Sequence, residues 1–363
     1  MSDHPHVVIV VPTIRRECMQ RFLHAWEPEF AQGGVELVVV EDNPSPTFEL
    51  ASDAAISHHS WLDIDAEFGD DAWIIPRRTD CVRSYGYWQA WRKNPDMIVT
   101  LDDDCLPDST TPIGFLQAHW DRLEEGGRHD AWTSTTTGTI PRGVPYHERD
   151  RRQRCVINHG LWTNVIDYDA VTQLTQVRRP SEVEFPDQTI PRGSFYPMCG
   201  MNLAWRPELT PALYFLLMGR DFGVDRFGDI WAGLFSKRIC DHLGLAVNSG
   251  SPTVHHARAS NVWANLRKEA PGMERNETLW RVADGTVLTA TTVVGCYREL
   301  ADAVLRAANS TGAEDGYLLR LADAMQRWCT RFEVTAIPAA PRAATVAAPQ
   351  RHGVGAGRQG APV

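Results

Sequence analysis

Three consecutive carboxylates, Asp102, Asp103 and Asp104, directly follow the apolar run M-I-V-T-L at residues 97–101. Neighbouring charges of one sign repel one another and cannot be buried inside a strand, so the strand is predicted to end here, at the edge of a sheet. Carboxylate oxygens are the preferred ligands of Mg2+ and Mn2+. The triplet therefore predicts a divalent-metal site for a nucleotide diphosphate, with an Asp-rich turn as the alternative interpretation.

Two earlier apolar runs, at residues 7–11 and 36–40, also end in polar residues, and a helical pattern separates them. This order predicts an α/β fold with a mostly parallel central sheet, whose ligands bind at the carboxyl ends of the strands. The sequence contains no G-x-G-x-x-G fingerprint and no Walker loop, which excludes the usual NAD-binding and P-loop units. The predicted nucleotide-binding residues are Thr13, Arg15, Glu41, Asp42, Arg83, Asp102 and Asp103.

Length and composition exclude several classes of protein. The chain has 363 residues, of which 43% are hydrophobic, and a formal net charge of -10. This charge argues against nucleic acid as a partner, and no apolar stretch of about 18 residues is available to span a membrane. The N-terminus lacks the basic region of a signal peptide, so a cytoplasmic location is expected. The eight cysteines contain no C-x-x-C pair, as expected for reduced thiols.

Three features downstream of the triplet have both a functional and a structural interpretation. Residues 142–154 are rich in arginine, which is typical of a phosphate clamp but more often of a solvated loop. Asp229 precedes an apolar helix and is either functional or a helix N-terminal residue that the dipole favours. His256 ends a strand-like segment and is a candidate for the remaining metal ligand, although a lone histidine of this kind is more often structural.

The last third of the chain predicts packing helices rather than chemistry. Apolar residues recur at helical spacing over residues 293–308 and 317–332. From residue 337 the chain is rich in Ala, Pro, Gly and Arg without any period, which predicts a disordered tail over 337–363. Residues 1–336 are accordingly predicted to form one catalytic domain, and a homo-oligomer is left open.

Several motifs, taken in order, resemble the UDP-arabinopyranose mutase family, also called reversibly glycosylated polypeptides. The resemblance covers about residues 6–330 and implies a GT-A-like fold, a divalent metal at the triplet, and reversible interconversion of pyranose and furanose nucleotide sugars without flavin or NAD. The motifs are V-P-T-I-R at 11–15, V-V-V-E-D at 38–42, T-L-D-D-D-C at 100–105, H-G-L-W-T-N at 159–164, D-Y-D-A-V-T-Q-L at 167–174, P-M-C-G-M-N-L-A at 197–204, D-I-W-A-G at 229–233 and I-C-D-H-L at 239–243.

In this family an arginine in a stretch resembling R-G-x-P-aromatic is reversibly glycosylated, and a second functional arginine follows seven residues later. The resemblance places these at Arg142 and Arg149. The chain departs from the family at Gly228, where a second acid usually precedes Asp229. It also reads Glu41-Asp42-Asn43 where Gln-Asp-Gly is typical, and the extra acceptor favours guanine slightly over uracil.

The resulting hypothesis is a metal-dependent mutase, with GDP-L-galactopyranose slightly preferred over UDP-arabinopyranose. Its metal would be Mn2+ or Mg2+, held by Asp102, Asp104 and His256. Its catalytic residues would be Arg142, Arg149, Asp229 and His159, with the last two as proton shuttles. A guanidinium is protonated at neutral pH, so Arg142 is either a nucleophile or a phosphate clamp. The alternatives are a glycosyltransferase with a separate acceptor and a self-glycosylated nucleotide-sugar-binding scaffold.

Overall fold

The computed structural model of the protein describes residues 5–108, 114–128, 142–149, 151–175, 186–256, 261–310 and 316–334. The strands are β1 (Val7–Thr13), β2 (Val35–Glu41), β3 (Ala55–His59), β4 (Met97–Leu101), β5 (Cys105–Pro107), β6 (Gly127–Arg128), β7 (Arg152–Gln153), β8 (Cys155–Asn164), β9 (Gln188–Thr189), β10 (Asn202–Trp205) and β11 (Ala246–His256). The α-helices are α1 (Arg16–Phe30), α2 (Trp61–Phe68), α3 (Arg83–Arg92), α4 (Phe115–Glu125), α5 (Ala170–Thr175), α6 (Gly228–Leu243), α7 (Val262–Gly285), α8 (Val293–Ser310) and α9 (Gly316–Val334). The predicted tail, residues 337–363, lies outside the described residues.

One large mixed sheet organises the fold, with strand order β3-β2-β1-β4-β10-β8-β11-β5. The first four strands are parallel, and β10 then runs antiparallel to both β4 and β8. The parallel half therefore brings the carboxyl ends of β1, β2 and β4 to one edge. This confirms the predicted α/β class and the sheet edge at which the triplet lies.

The two faces of the sheet support separate hydrophobic cores because strand side chains alternate. Val8 and Val10 face the core that contains helices α3, α6, α8 and α9. Val7, Ile9 and Val11 face the core that contains α1 and α4. Burial on both faces explains why the first strand is uniformly aliphatic rather than alternating with polar residues.

Helices α8 and α9 begin and end within two residues of the predicted positions, which confirms the two C-terminal helices. Their apolar stripes are buried, as with Cys296 and Leu300 in α8 and with Leu321 and Trp328 in α9. The run W-I-I-P at residues 73–76 predicts a short strand from its sequence, but Gly69–Ile74 forms a 3-10 helix, so this prediction is wrong. A short apolar run does not distinguish a strand from a helical turn, and here α9 covers the segment.

Within the described residues, no helix is both long and apolar enough to cross a bilayer.

Gly86 sets how closely α3 approaches the sheet. A Cβ at this position would lie 2.5 Å from Val10 Cγ1 and 2.9 Å from Val40 Cγ2. Both valines are fully buried, so they can yield only by disturbing the core. We expect Gly86→Ala to lower the free energy of unfolding by about 1–3 kcal/mol in urea titrations.

The matched control is Gly285→Ala near the end of α7, where an added Cβ meets nothing within 4 Å. This variant should unfold at the same urea concentration as the unmodified protein or at a slightly higher one, since alanine is the better helix former. Equal stability of the two variants would contradict the close helix–sheet contact described for Gly86.

Candidate functional site

The carboxylate triplet lies in a tight turn at the carboxyl edge of the sheet. β4 ends at Leu101, and the N–H of Cys105 donates to the carbonyl of Asp102 over 3.0 Å, so that β5 begins immediately after the acids. The three side chains diverge and have different surroundings. Asp102 is 32% exposed, whereas Asp103 and Asp104 are buried.

Asp103 is an internal anchor rather than a nucleotide ligand, and this corrects the prediction for both Asp103 and Thr13. The Thr13 hydroxyl donates to Asp103 Oδ2 over 2.7 Å, and Arg15 donates to the same carboxylate from Nε (3.2 Å) and from Nη2. Burial raises the pKa of Asp103, although these donors act in the opposite direction. Thr13 and Arg15 therefore tie the end of β1 to the triplet. Of these three side chains, the half-buried Arg15 guanidinium is the most exposed.

Arg83 is the centre of the site and not a nucleotide ligand as predicted. Its side chain is 2% exposed. It donates from Nε to the carbonyl of Asp80 (3.1 Å), from Nη1 to Thr100 Oγ1 (3.3 Å) and the carbonyl of Gly200, and from Nη2 to Asp102 Oδ1 (2.5 Å). Because the side chain is buried and protein acceptors take four of its five N–H donors, Arg83 is not placed to bind a phosphate. Arg83 instead fixes the loop before α3, the triplet and the segment before β10 relative to one another.

His256 pairs with Cys105, the residue that follows Asp104, in the antiparallel β5–β11 register. His256 Nδ1 lies 3.0 Å from the carbonyl of Val165, which can only accept, so Nδ1 carries the proton and Nε2 has a free lone pair. This is the usual arrangement of a metal-ligating histidine. Asp104 contacts Arg15 Nη2 at 3.1 Å through Oδ2.

The predicted ligand set of Asp102, Asp104 and His256 is not assembled. In the described parts of the chain, no three His, Cys, Asp or Glu side chains lie together in an arrangement that could hold a metal ion. The oxygen Asp102 Oδ1 faces the Arg83 guanidinium instead. Divalent cations commonly use one or two protein side chains plus substrate phosphates, and the carboxylate of Asp104 and the unprotonated nitrogen of His256 are donors of the kind that such an ion binds.

The end of β2 is engaged inside the protein, which corrects the role predicted for Glu41. Glu41 is fully buried, and its carboxylate accepts from the N–H of Thr47 (3.1 and 3.0 Å) and from Asn43 Nδ2 (2.7 Å). Asp42 Oδ1 accepts from Trp61 Nε1 over 2.7 Å, and burial raises the pKa of Asp42. Glu41 thus stabilises the loop that follows β2, and the argument for guanine that used its carboxylate fails.

His159 is a structural residue and not the predicted proton shuttle. It is 3% exposed, its Nε2 accepts from the N–H of Cys199 (3.0 Å), and its Nδ1 lies 2.8 Å from the Tyr196 hydroxyl. Burial lowers its pKa to about 4, so the ring is neutral near pH 7. Both ring nitrogens hold the segment that leads to Gly200, which is the segment that contacts Arg83.

Asp229 has the properties that its predicted acid–base role requires. It lies in the first turn of α6, half-buried, and its Oδ2 accepts from the N–H of Gly200 over 3.1 Å. Burial and the neighbouring charges of Asp80 and Asp167 raise its pKa to about 7. A carboxyl group with this pKa can both donate and accept a proton at neutral pH.

The raised pKa of Asp229 also makes the stability of the folded protein depend on pH. The carboxyl keeps its proton up to about pH 7 when folded, whereas its ordinary value is 3.8, so the folded chain binds more protons between these values. The contribution of Asp229 to stability therefore falls as pH rises from about 4 to 7 and is constant above. We expect the free energy of unfolding of the unmodified protein, minus that of Asp229→Asn, to fall over this window in urea titrations.

Asp229→Ala serves as the control, because alanine cannot ionise either but also removes the hydrogen bond to Gly200. It should give the same slope with pH and a different offset. A difference that does not change between pH 4 and 8 would contradict the raised pKa.

The predicted arginines lie in the segment 142–149, which begins with a turn and contains the 3-10 helix Tyr146–Glu148. Arg142 is exposed, and no ion pair is seen for it within the described part of the chain. Arg149 is oriented, since its Nε donates to the carbonyl of Val144 (3.3 Å) and its guanidinium lies 4.0 Å from the centre of the Tyr146 ring. The structure shows no contact of either arginine with the triplet residues, so their catalytic roles remain predictions.

Comparison with known proteins supports the resemblance read from the motifs. The profile of the family described as "Reversibly glycosylated polypeptide" matches residues 2–336. The chain belongs to the reversibly glycosylated polypeptide family. Its relatives include the probable UDP-arabinopyranose mutase 1 of Pisum sativum, which is 36% identical over 341 residues and is matched over 90% of each chain. UDP-arabinopyranose mutase 1 of Arabidopsis thaliana is 35% identical, with 90% of this chain and 91% of that protein covered.

Two solved structures give weaker matches to this member of the reversibly glycosylated polypeptide family. The mannosyltransferase PcManGT of Pyrobaculum calidifontis, solved with GDP-Man and Mn2+, aligns over 90% of this chain and 86% of its own with a TM-score of 0.39 and 12% identity. S. aureus TarS aligns over 90% of both chains with a TM-score of 0.35 and 9% identity. Scores this low support no statement about activity.

The structure also brings residues to the site that were not among the predicted site residues. Asp80 and Asp167 face Asp229, and Gly200 links Asp229 to Arg83 through its N–H and its carbonyl. Gly200 lies within the motif P-M-C-G, where a glycine that brings the backbone close to other groups was a usable signal. Asp80 lies in the stretch T-D-C-V-R, which carries no pattern that would single it out.

Proposed function

We propose that this protein is a nucleotide-sugar mutase that interconverts pyranose and furanose forms. The observation that carries the proposal is the juxtaposition, around Arg83, of a carboxylate with a pKa of about 7 and an acidic sheet edge. A mutase needs both parts, because it must stabilise charge on a leaving diphosphate and then move protons between sugar hydroxyls. Its named relatives in plants are mutases of this type.

The diphosphate is proposed to lie at the triplet edge. Asp104 and His256 would hold Mn2+ or Mg2+ there, and the cation would stabilise the negative charge of the diphosphate. Arg15 lies beside this pair, and its half-buried guanidinium would interact with a phosphate oxygen or orient Asp104. Asp102, which is partly exposed, would face the nucleotide from the other side of Asp103.

Asp229 is proposed to be the group that carries protons for the sugar. When the ring opens, the ring oxygen needs one proton, and when a different hydroxyl closes the new ring it releases one. A carboxyl group with a pKa of about 7 can give the first proton and take up the second, so the enzyme returns to its starting state.

Arg142 and Arg149 are proposed to bind the anionic part of the substrate. Arg142 is exposed and available, and Arg149 is oriented by Val144 and Tyr146. On chemical grounds a permanently charged guanidinium is a better clamp than nucleophile. The reversible glycosylation known in the family would require Arg142 to attack the anomeric carbon, so both roles are kept as outcomes of the test.

The nucleotide is proposed to be a uridine or guanosine diphosphate. With Glu41 engaged by Thr47 and Asn43, its carboxylate no longer supports the preference for guanine. The relatives make UDP-arabinopyranose the first substrate to test, and GDP-L-galactopyranose the second.

The test incubates the purified protein with each nucleotide sugar and Mn2+ or Mg2+, with and without a chelator, and separates the products by chromatography. A product of unchanged mass and new retention would establish a mutase and identify its nucleotide. Free nucleotide diphosphate without an isomer would overturn the proposal in favour of a glycosyltransferase. A single labelled arginine without turnover would instead identify a self-glycosylated scaffold.

A further inference from the structure

Position 228 has no room for a side chain. Gly228 is the first residue of α6, and a Cβ there would lie 2.6 Å from the carbonyl oxygen of Phe215 and 2.7 Å from Cys81 Sγ. Both residues are buried, and the Cys81 thiol donates to that same carbonyl over 3.1 Å. A side chain at this position, including the acid that the resemblance to the family leads us to expect, is therefore excluded by the packing of α6 on residues 81 and 215.

The packing that excludes a side chain at position 228 also brings another acid, Asp80, close to that position. Asp80 immediately precedes Cys81 in the 3-10 helix Asp80–Val82, and its Oδ1 lies 3.8 Å from Cys81 Sγ, the atom that a Cβ at 228 would approach to 2.7 Å. Its carboxylate is 46% exposed, accepts from Thr79 Oγ1 (3.2 Å), and has Oδ2 3.7 Å from Arg83 Nη2. It is thus partly exposed and held beside the central arginine.

Asp80 and Asp229 are linked through the same two residues. Arg83 accepts nothing and donates to the Asp80 carbonyl and the Gly200 carbonyl, while the Gly200 N–H donates to Asp229 Oδ2. The Asp80 backbone and the Asp229 carboxylate therefore belong to one hydrogen-bonded cluster, and the Asp80 carboxylate faces the same Arg83 guanidinium at 3.7 Å.

Charges from every neighbouring element act on Asp229. Asp80 comes from the 3-10 helix, Asp167 from the segment before α5, Arg83 from α3, and Arg226 from the residues before α6; the Cys199 thiol is also close. Burial is the largest cause of the raised pKa of Asp229, and Asp80 is the largest of the charges that raise it. Like charges held close together cannot both ionise without cost, which favours one shared proton.

We propose that Asp80 supplies the second carboxylate of an acid pair with Asp229, in place of the acid missing at position 228, and so keeps a proton on Asp229 for the sugar. This rests on the proposed mutase function. While the anomeric carbon is detached from the diphosphate and bonded to a nucleophile, for which Arg142 is the candidate, its bond to the ring oxygen breaks, and that oxygen takes the proton from Asp229. A second hydroxyl then bonds to the anomeric carbon and returns its proton to Asp229, and the diphosphate bonds to that carbon again as the nucleophile leaves. Asp80 acts through Asp229 and is a positioning residue.

Two measurements on the full chain test the pair. The first follows the amide resonance of Gly200, whose N–H donates to Asp229, as pH is varied in 15N-glycine-labelled protein. The second is the pH profile of mutase kcat/KM. We expect Asp80→Asn to lower the midpoint of the Gly200 titration by about one pH unit, to shift the matching limb of the rate profile equally, and to reduce the rate at pH 7 about tenfold.

Asp70→Asn is the matched control, because Asp70 is also an acid in the first turn of a 3-10 helix, is exposed and lies outside the site. It should change neither midpoint nor rate. An unchanged Gly200 midpoint in Asp80→Asn would overturn the pair, and a shifted midpoint with an unchanged rate profile would overturn its use in catalysis. If the unmodified protein isomerises no nucleotide sugar, the proposed function fails, and the Gly200 titration still decides whether the pair exists.

Discussion

The Asp104→Asn variant is expected to lose mutase activity by at least about a thousandfold, together with metal-dependent binding of the nucleotide diphosphate. Asparagine keeps the size of the side chain and one oxygen, but it removes the negative charge beside His256 that a divalent cation needs. Stabilisation of a leaving diphosphate by a cation contributes several kcal/mol, and about 4 kcal/mol corresponds to this loss of rate. Isothermal titration of UDP and GDP with and without Mn2+ gives the binding readout.

The matched control is Asp121→Asn on α4, an exposed aspartate that accepts only from Gln117 among the residues described. It should bind and turn over like the unmodified protein. A thermal melt distinguishes lost function from lost folding, since Asp104 also contacts Arg15 at 3.1 Å. Near-normal activity of a folded Asp104→Asn variant, or activity that persists with a chelator, would contradict the metal site.

The sequence predicted those parts of the fold in which a periodic pattern determines the structure. The apolar runs of β1, β2 and β4 and the stripes of α8 and α9 have the periods of buried strands and helices, and they are found where predicted. The strand predicted around Trp73 failed because a run this short fits either structure, and contact with α9 decided between them.

The candidate site was predicted in position but not in detail. Three adjacent aspartates indicate an edge, yet they do not reveal that Asp103 faces Thr13 and Arg15 while Asp102 faces Arg83. Adjacent side chains at a strand end point in different directions, and which of them reaches solvent depends on residues from other elements. Arg83 was expected to bind a ligand because arginine often does, but burial and four protein acceptors make it structural.

Asp80 illustrates what no local pattern can provide. Its role depends on α6 packing against Cys81, and that contact joins residues that are separated by almost 150 positions. The glycine at 228 was visible in the sequence as a departure from the family, but its consequence was not. The missing acid at position 228 and the proposed role of Asp80 can be related only once the structure places both residues near Arg83.

Arg83→Met is the second substitution with a large expected effect. It keeps an unbranched side chain of similar length but removes every donor from a buried position, leaving the carbonyl of Gly200 and the hydroxyl of Thr100 without the partner they have now. It also removes the cation between Asp80 and Asp102. Unpaired buried acceptors and an uncompensated charge predict a loss of about 3 kcal/mol in the free energy of unfolding, with Asp102 discounted for its exposure.

Activity should fall with stability, because Gly200 also holds Asp229. The matched control is Arg92→Met at the end of the same helix, where the guanidinium is 41% exposed and pairs with Glu67 at 3.4 Å. Exposed pairs of this kind contribute about 0–1 kcal/mol, so the control should unfold almost normally in urea and keep its activity. If Arg83→Met unfolds at the same urea concentration as Arg92→Met, the guanidinium does not hold the site together, and Asp80, Asp102 and Asp229 must be positioned independently of one another.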